Sequence, residues 1–382
     1  MGKKIPCSIM RGGTSKGVFF WEKDLPADKR IKDKVILFIF GSPDSRQING
    51  LGGADPLTSK CAIISPSSQK EADIDYTIGN VSITRPLVDY SSNCGNLSAA
   101  VAAFAVDEGL TKPSEPVSYV RMFNTNTRKI ILAEVPTKKG KFFSEGSYSI
   151  SGVPGKGSKI LLDFKNTAGS VTGKLLPTGN VKDTIRLSDK TELEISIVDI
   201  ATPMVFVRAK DLGLKGYELP AEINSNLSLL QKLEEIRGRT AEIIKVVDNW
   251  QRAASLIPAT PKIAFVSPPQ DYEDFYHHRV LSRDIDFTSR IMSMQKAHKA
   301  YAVTGSICTA VAAKIKGTLV NEALAQKKEG FIKFGHASGT IEIEIEVEEE
   351  KGTMMVKKAA VGRTARRIMD GFAFVPGTLF EE

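Results

Sequence analysis

Asn93–Ala103 reads NCGNLSAAVAA, and Val303–Ala313 reads VTGSICTAVAA. Each copy opens on a polar, glycine-containing turn and continues as an alanine-rich stretch that is apolar on nearly every side. A helix of that kind has no solvent face and is expected to be buried. Two more blocks repeat upstream in the same order. VFFWEKDL at Val18–Leu25 returns as VFVRAKDL at Val205–Leu212, and TSKCAIISP at Thr58–Pro66 returns as TPKIAFVSP at Thr260–Pro268. The offset between copies grows along the chain, as loop insertions would produce. Three repeats in register order predict a duplicated scaffold with one central buried helix per half. The copies differ where chemistry would sit: Lys60 and Cys94 correspond to Lys262 and Thr304. A thiol on one side only predicts an asymmetric catalytic cleft between the two halves.

The chain has 382 residues, above the size at which one hydrophobic core stops growing, so two domains are expected. The Gly-, Thr- and Lys-rich region 166–189 marks the boundary, giving domains 1–184 and 185–382, with the last strand free to return to the first. Short β-branched runs between turn residues read as strands. They lie at Lys4–Ile9, Val18–Trp21, Ala62–Ile64, Val81–Thr84, Ile130–Val135, Ile160–Phe164, Glu192–Val198, Val205–Arg208 and Ile263–Val266. Ile341–Val347 is a further strand, whose alternating glutamates mark one solvated face. Helical periodicity predicts surface helices over Leu227–Arg239 and Arg283–Ala302, beside the buried helices Leu97–Val106 and Thr309–Ile315. The class is therefore α+β, a sheet wrapped around a central helix in each domain.

Several functional classes fall away. The longest apolar runs, Val35–Phe40 and Leu97–Val106, are far too short to cross a bilayer. No apolar run follows Lys3 and Lys4, so no signal peptide is expected and the simplest location is the cytoplasm. Cys7, Cys61, Cys94 and Cys308 lie far apart, without CxxC or Cys/His spacing, so they read as thiols and no metal or cofactor is expected. The net charge of +8 is scattered, with no aromatic-basic or DNA-binding motif. That argues against a nucleic-acid partner and suits a small anionic substrate. The oligomeric state stays open, a homo-oligomer included.

Cys94 stands immediately before a buried helix, where the partial positive charge favours thiolate and binds carboxylate or a developing oxyanion. The alternative is a small core cysteine, which is how Cys7, Cys61 and Cys308 read. The polar turn with Asn93, Gly95 and Asn96 favours the first reading for Cys94. Lys60 follows Ser59 at the rim of an apolar strand, where desolvation eases loss of its proton. A snorkelling or scaffold lysine competes, because Lys262 repeats it. In the turn after the first strand, Gly12 and Gly13 allow close backbone approach, while Arg11, Thr14 and Ser15 can grip a carboxylate. Thr304, Gly305 and Ser306 offer a second helix-N-terminal anion site. Thr178, Gly179 and Asn180 form either a third wall or a tight turn, and His298 either faces the cleft or packs. His277 and His278 read as surface residues and His336 as structural.

The stretches MRGGTSKGVFF from Met10, GSPDSRQINGLGGADPLTSK from Gly41, VDYSSNCGN from Val88, LPTGN from Leu176 and GRTARRIMDGF from Gly362 together resemble the methylaconitate isomerase (PrpF) family. That family includes 3-methylitaconate Δ-isomerase and 4-oxalomesaconate tautomerase, and the resemblance spans nearly the whole chain. It implies the diaminopimelate-epimerase-like fold, with two pseudo-symmetric domains and the active site in the cleft between them. It also implies a catalytic lysine and cysteine, which match Lys60 and Cys94. Diaminopimelate epimerases use two cysteines, and Thr304 stands where the second would be, so a two-thiol racemase or epimerase is disfavoured. The GADPLTSK block and Cys308 lean toward the methylitaconate isomerases.

The activity this implies is cofactor-independent isomerisation of an unsaturated di- or tricarboxylate. One of Lys60 and Cys94 removes an allylic proton and the other returns one, in an order the sequence leaves open. Return to the same carbon after bond rotation gives cis-trans isomerisation, and return to the far end shifts the double bond. A carboxylate-binding protein without catalysis is the non-enzyme alternative.

Overall fold

The computed structural model describes residues 2–326, 329–350 and 353–380. The chain gathers into two compact units, Met1–Leu162 with Arg363–Glu382, and Asp163–Gly362. In chain order the elements that matter are β1 (Lys3–Gly12), β2 (Ser15–Trp21), α1 (Lys29–Phe40), β3 (Lys60–Pro66), β4 (Ile74–Val81), β5 (Val88–Asp89), α2 (Gly95–Asp107), β6 (Val117–Asn124) and β7 (Lys129–Lys138). The second unit follows with β8 (Glu192–Ile200), β9 (Thr202–Arg208), α3 (Leu227–Ile243), β10 (Lys262–Ser267), β11 (Thr288–Ser293), α4 (Val303–Lys314), β12 (Phe331–His336) and β13 (Gly339–Glu350). Last come β14 (Thr353–Arg363) and β15 (Ala365–Val375).

The sequence repeat is a repeat of strand pairing. In the first unit β1 runs antiparallel to β2, β2 parallel to β3, β3 antiparallel to β4, β4 parallel to β6, and β6 antiparallel to β7. In the second unit β8, β9, β10, β11, β12 and β13 pair in the same alternation. Val18 stands opposite Cys61 in the first unit, and the repeat-equivalent Val205 stands opposite Ile263 in the second. Parallel neighbours need a crossover, and the helices supply it: α1 links β2 to β3, and α2 lies between β4 and β6.

Each crossover helix has the composition its position demands. Helix α1 is amphipathic, burying Val35, Ile36, Ile39 and Phe40 against Ile5, Phe20 and Ile63. Asp28 caps its start by accepting from the amides of Arg30 and Ile31, and Gly41 ends it in the left-handed region at φ 68°. Helix α2 is buried from Gly95 to Val106, and its small side chains let strands close on it from several sides. A Cβ on Gly12 would lie 2.3 Å from the Asn96 carbonyl oxygen. Strand β2 is therefore covered on both faces, with Phe19 against Phe104 of α2 and Phe20 among the side chains around α1. Helix α4 repeats α2, buried from Val303 to Ala313.

Three expectations change. Arg283–Ala302 is not a helix, because Thr288–Met292 is buried as a strand whose register places it beside β10 and β12. A sheet slot covered on both faces overrides the periodicity. The strand read at Val81–Thr84 ends at Val81 and begins at Ile74. Residues 163–184, placed by sequence with the first domain, belong to the second unit. The reason is Asp199 of β8, whose carboxylate accepts from the amides of Ser170, Val171 and Thr172. The last strand, β15, lies on β1 in the first unit. Among the described residues no helix is long and apolar enough to cross a membrane.

Candidate active site

Cys94 is the N-cap residue of α2, with extended backbone at φ −117° and ψ 95°. The first bond into the helix runs from the Ser98 amide to the Cys94 carbonyl. The amides of Gly95, Asn96 and Leu97 precede that bond and have no acceptor among the described residues. Three N–H groups and a thiol thus share one helix N-terminus. The Cys94 Sγ lies 3.7 Å from Ser15 Oγ and is partly exposed. The other three cysteines are buried thiols. Burial pushes Cys61 up to about 12 and carries Cys7 and Cys308 upward as well. Behind the cap, Ser98 Oγ is 2.9 Å from the Tyr76 hydroxyl and within reach of Asn93.

Lys60 opens β3 with only 6 % of its surface exposed, so it is not a snorkelling surface lysine. Its Nζ donates to Asn80 Oδ1 at 2.5 Å, and Asn80 Nδ2 donates to the Asp89 carbonyl at 3.4 Å. Lys262, its repeat, is equally buried but donates to the carbonyl of Ala259 in its own loop. The two lysines share a position and differ in what they touch. Gly17 lies against Lys60: a Cβ there would come 2.8 Å from the Lys60 carbonyl oxygen and 3.0 Å from Leu97. Ser15, two residues back on the same strand, faces Cys94. The end of β2 therefore passes the Lys60 backbone at Gly17 and the Cys94 thiol at Ser15.

The turn after β1 is held by side chains. Asn96 Nδ2 donates to Thr14 Oγ1 at 3.0 Å, and the Thr14 amide donates to Asn96 Oδ1 at 3.3 Å. Gly13 has φ 50°, and a Cβ there would fall 1.9 Å from Asn96 Oδ1. Arg11 spends Nη1 on the carbonyls of Gly13 and Thr364 and on the Thr364 hydroxyl, so it shapes the turn. Arg363 lies behind Gly13, and burial pushes its guanidinium down to about 10. Ser59, next to Lys60, donates to the Val81 carbonyl and accepts from Gln47. Sequence reading passed over Gln47, Asn80 and Asp89. Asn80 gave no distinct signal, because β4 also carries Asp75 and Thr77.

The remaining candidates belong to the second unit. Thr304 and Gly305 lie ahead of the first bond into α4, whereas the Ser306 amide donates to Ala302 and its hydroxyl to Val303. Thr178 and Asn180 both donate to Asp183 around Gly179, whose φ is 82°, so this segment is a tight turn. His298 is buried and accepts from the Ala300 amide. His277 and His278 are exposed, and His336 is buried with its Nδ1 accepting from Ser338. Among the described residues no group of three or more His, Cys, Asp or Glu side chains gathers as a metal site would require.

The whole chain matches known proteins in the same sense. The sequence profile of the PrpF protein family covers residues 2–376. The chain belongs to the PrpF family. It is 50 % identical to 3-methylitaconate isomerase of Eubacterium barkeri, over 97 % of each chain. It is 39 % identical to 2-methyl-aconitate isomerase of Shewanella oneidensis, over 98 % of this chain and 97 % of the relative. A crystal structure of methylitaconate-delta-isomerase superimposes with a TM-score of 0.81 at 48 % identity, covering 100 % of this chain and 98 % of the other. The chain is an isomerase of this family, with the α+β, diaminopimelate-epimerase-like fold that its paired topology displays.

Proposed function

We propose that this isomerase acts on a small unsaturated di- or tricarboxylate of the 3-methylitaconate or 2-methylaconitate type, moving one allylic proton with Lys60 and Cys94. The observation that carries the reading is Cys94 at the head of α2, beside three uncommitted amides and with its thiol near Ser15 of β2, the strand that pairs with the β3 opened by buried Lys60. One of the two side chains takes the proton and the other delivers it. The carbanion is a dienolate, with charge spread onto a substrate carboxylate. The amides of Gly95 and Asn96 are the donors for that charge, each worth roughly 3 kcal/mol in the transition state. Asn93, Thr14, Ser15 and Ser59 complete the wall around these groups; within the second unit, Thr304 and Gly305 lie at a comparable helix start. The 50 % identity to a 3-methylitaconate isomerase makes that compound the first substrate to try.

The test is proton NMR in deuterated water with 3-methylitaconate, 2-methylaconitate and 4-oxalomesaconate. Conversion of one of them with deuterium at the new C–H position supports the proposal. Conversion without solvent deuterium in substrate or product argues for a shielded or different route. If Cys94→Ser and Lys60→Ala both keep full activity on a converted substrate, the pair is misassigned.

A further inference from the structure

A cavity of about 330 Å³ opens in the second unit where β9 and β10 end. Leu214, Val266, Pro268, Leu319 and Ala323 form its apolar walls. Arg208, the last residue of β9, lines it too. The repeat makes Arg208 the counterpart of Trp21, whose ring packs on Phe104 in the first unit with centroids 5.6 Å apart. Arg208 turns instead to carboxylates, meeting Glu194 at 2.8 Å, Asp211 at 3.4 Å and Glu322 at 2.6 Å. An aromatic plug in one copy is thus an ion-paired rim in the other. The cavity also lies away from the helix start of its own unit. Met204 of β9 neighbours Gly305 at the head of α4, whereas Leu319 follows the far end of this 12-residue helix, which is about 18 Å long.

The walls are fixed by the protein itself. Gln270, another lining residue, donates from Nε2 to the Lys215 carbonyl at 2.7 Å and to Ser267 Oγ at 3.3 Å. Gly216 presses on the same serine: its φ is 101°, and a Cβ there would fall 2.1 Å from Ser267 Oγ. Behind this loop the buried Arg290 guanidinium donates to the carbonyls of Tyr217 and Glu218. The loop that carries Lys215 is therefore tied to both β10 and β11, and a ligand meets a surface already in place.

Charge and shape select the ligand. Glu322 accepts from both Arg208 and Lys182, so the acid on the rim is already matched. Lys210 and Lys215 also line the cavity, and neither has an ion pair among the described residues. Two uncommitted ammonium groups beside apolar walls suit one anionic head on an apolar body. A di- or tricarboxylate would have to press a second charge onto Val266 and Leu319, where nothing repays its desolvation. We infer that this cavity is a binding site for a medium-chain aliphatic monocarboxylate such as hexanoate. The carboxylate pairs with Lys210 and Lys215, and the chain lies along Leu214, Val266 and Leu319. The site shares no residue with the group around Lys60 and Cys94 and does not rest on their assignment.

The experiment titrates the full chain with hexanoate and follows the hexanoate methyl resonance by saturation-transfer NMR. The expected result is saturable binding in the millimolar range, weaker by about fourfold for each methylene removed in pentanoate and butyrate. Lys210→Gln combined with Lys215→Gln should weaken hexanoate about tenfold and leave hexan-1-ol unchanged, because only the partner of the charged head is lost. Ala323→Phe fills the cavity and should abolish binding of both. Alkylation of Cys94 with iodoacetamide should leave the hexanoate curve where it is. Any one of three results overturns the inference: no saturation, an affinity unmoved by the lysine pair, or a curve lost on Cys94 alkylation. If Ala323→Phe does not fold, the lysine pair decides alone, since both side chains are exposed and their replacement leaves the core intact. No readout uses turnover, so failure here and failure of the substrate assignment are told apart.

Discussion

Asn96 clasps Thr14 with both ends of its side-chain amide, donating from Nδ2 to the hydroxyl and accepting at Oδ1 from the backbone N–H. This ties the turn after β1 to the first turn of the helix that carries Cys94. Gly13 makes the clasp sterically feasible, since a Cβ would sit 1.9 Å from Asn96 Oδ1 and the backbone is left-handed at φ 50°. Gly13→Ala is expected to lose the clasp and add backbone strain of about 1–2 kcal/mol. We expect kcat/KM to fall by roughly 100-fold, from misplaced amides and Ser15, while the melting temperature drops only a few degrees. A Gly13→Ala enzyme with wild-type kcat/KM would remove the turn from the site.

Cys94 differs from the other cysteines in access and in electrostatics. It is partly exposed at a helix N-terminus, whereas Cys7, Cys61 and Cys308 are buried and held as thiols. Thiolate is the reactive form, so a limiting dose of iodoacetamide at pH 7.5, roughly one equivalent per chain, should alkylate Cys94 first and abolish activity in step. Peptide mass spectrometry measures the order. Early labelling of Cys7, or Cys94 labelling with activity retained, contradicts the assignment.

The repeat made the fold legible because it is a repeat of neighbours: Val18 on Cys61 and Val205 on Ile263 are pairings between quoted blocks. Lys60 and Cys94 were legible for a similar reason, each lying at the edge of a repeated block. Asn80 was not, because it meets Lys60 only through antiparallel pairing over a separation of 20 residues that no local pattern encodes. Helix α1 was overlooked although Asp28 and Gly41 bracket it as cap residues, since attention to Val35–Phe40 as an apolar run hid the amphipathic stripe. Strands β6, β14 and β15 also went unread. Strand β6 carries exposed residues between buried ones, as in Val117–Asn124, and β15 buries only Ala365 and Val375 at its ends, so neither has a long aliphatic run. Arg283–Ala302 failed in the opposite direction, its helical spacing of apolar residues being incidental to a buried strand.

Gln47 is the fastener of the loop that leads into Lys60. It is 1 % exposed, with φ 47°, and its side chain donates to Ser42 Oγ and Ser59 Oγ and accepts from the Ala54 amide, each at 2.8 Å. Gln47→Leu keeps the bulk and leaves those three groups without their partner, at about 1–3 kcal/mol for each one that stays buried. The expected outcome is faster limited proteolysis within residues 41–59 and a raised KM, with the second unit's protection unchanged. Cleavage of this loop at the wild-type rate would show that the hydrogen bonds are dispensable.

Cys61 gives the first unit an alkaline liability. Its pKa rises from an ordinary 9.0 to about 12, chiefly through burial in the sheet between α1 and α2. The folded state therefore keeps the proton that the unfolded chain gives up. Folded-state pKa above unfolded means that the stabilisation is fully present below pH 9 and is lost as pH rises toward 12. The loss runs at about 1.4 kcal/mol per pH unit for one such thiol. Replacing Cys61 by Ala removes this slope at the cost of a small cavity, worth about 1 kcal/mol at every pH. Urea midpoints at pH 8 and pH 10.5 should show the variant weaker at the lower pH and level with or above wild type at the higher. Because Cys7 and Cys308 remain, some alkaline slope persists in both proteins. Parallel lines of midpoint against pH for the two proteins would mean that Cys61 is not held as a thiol by burial.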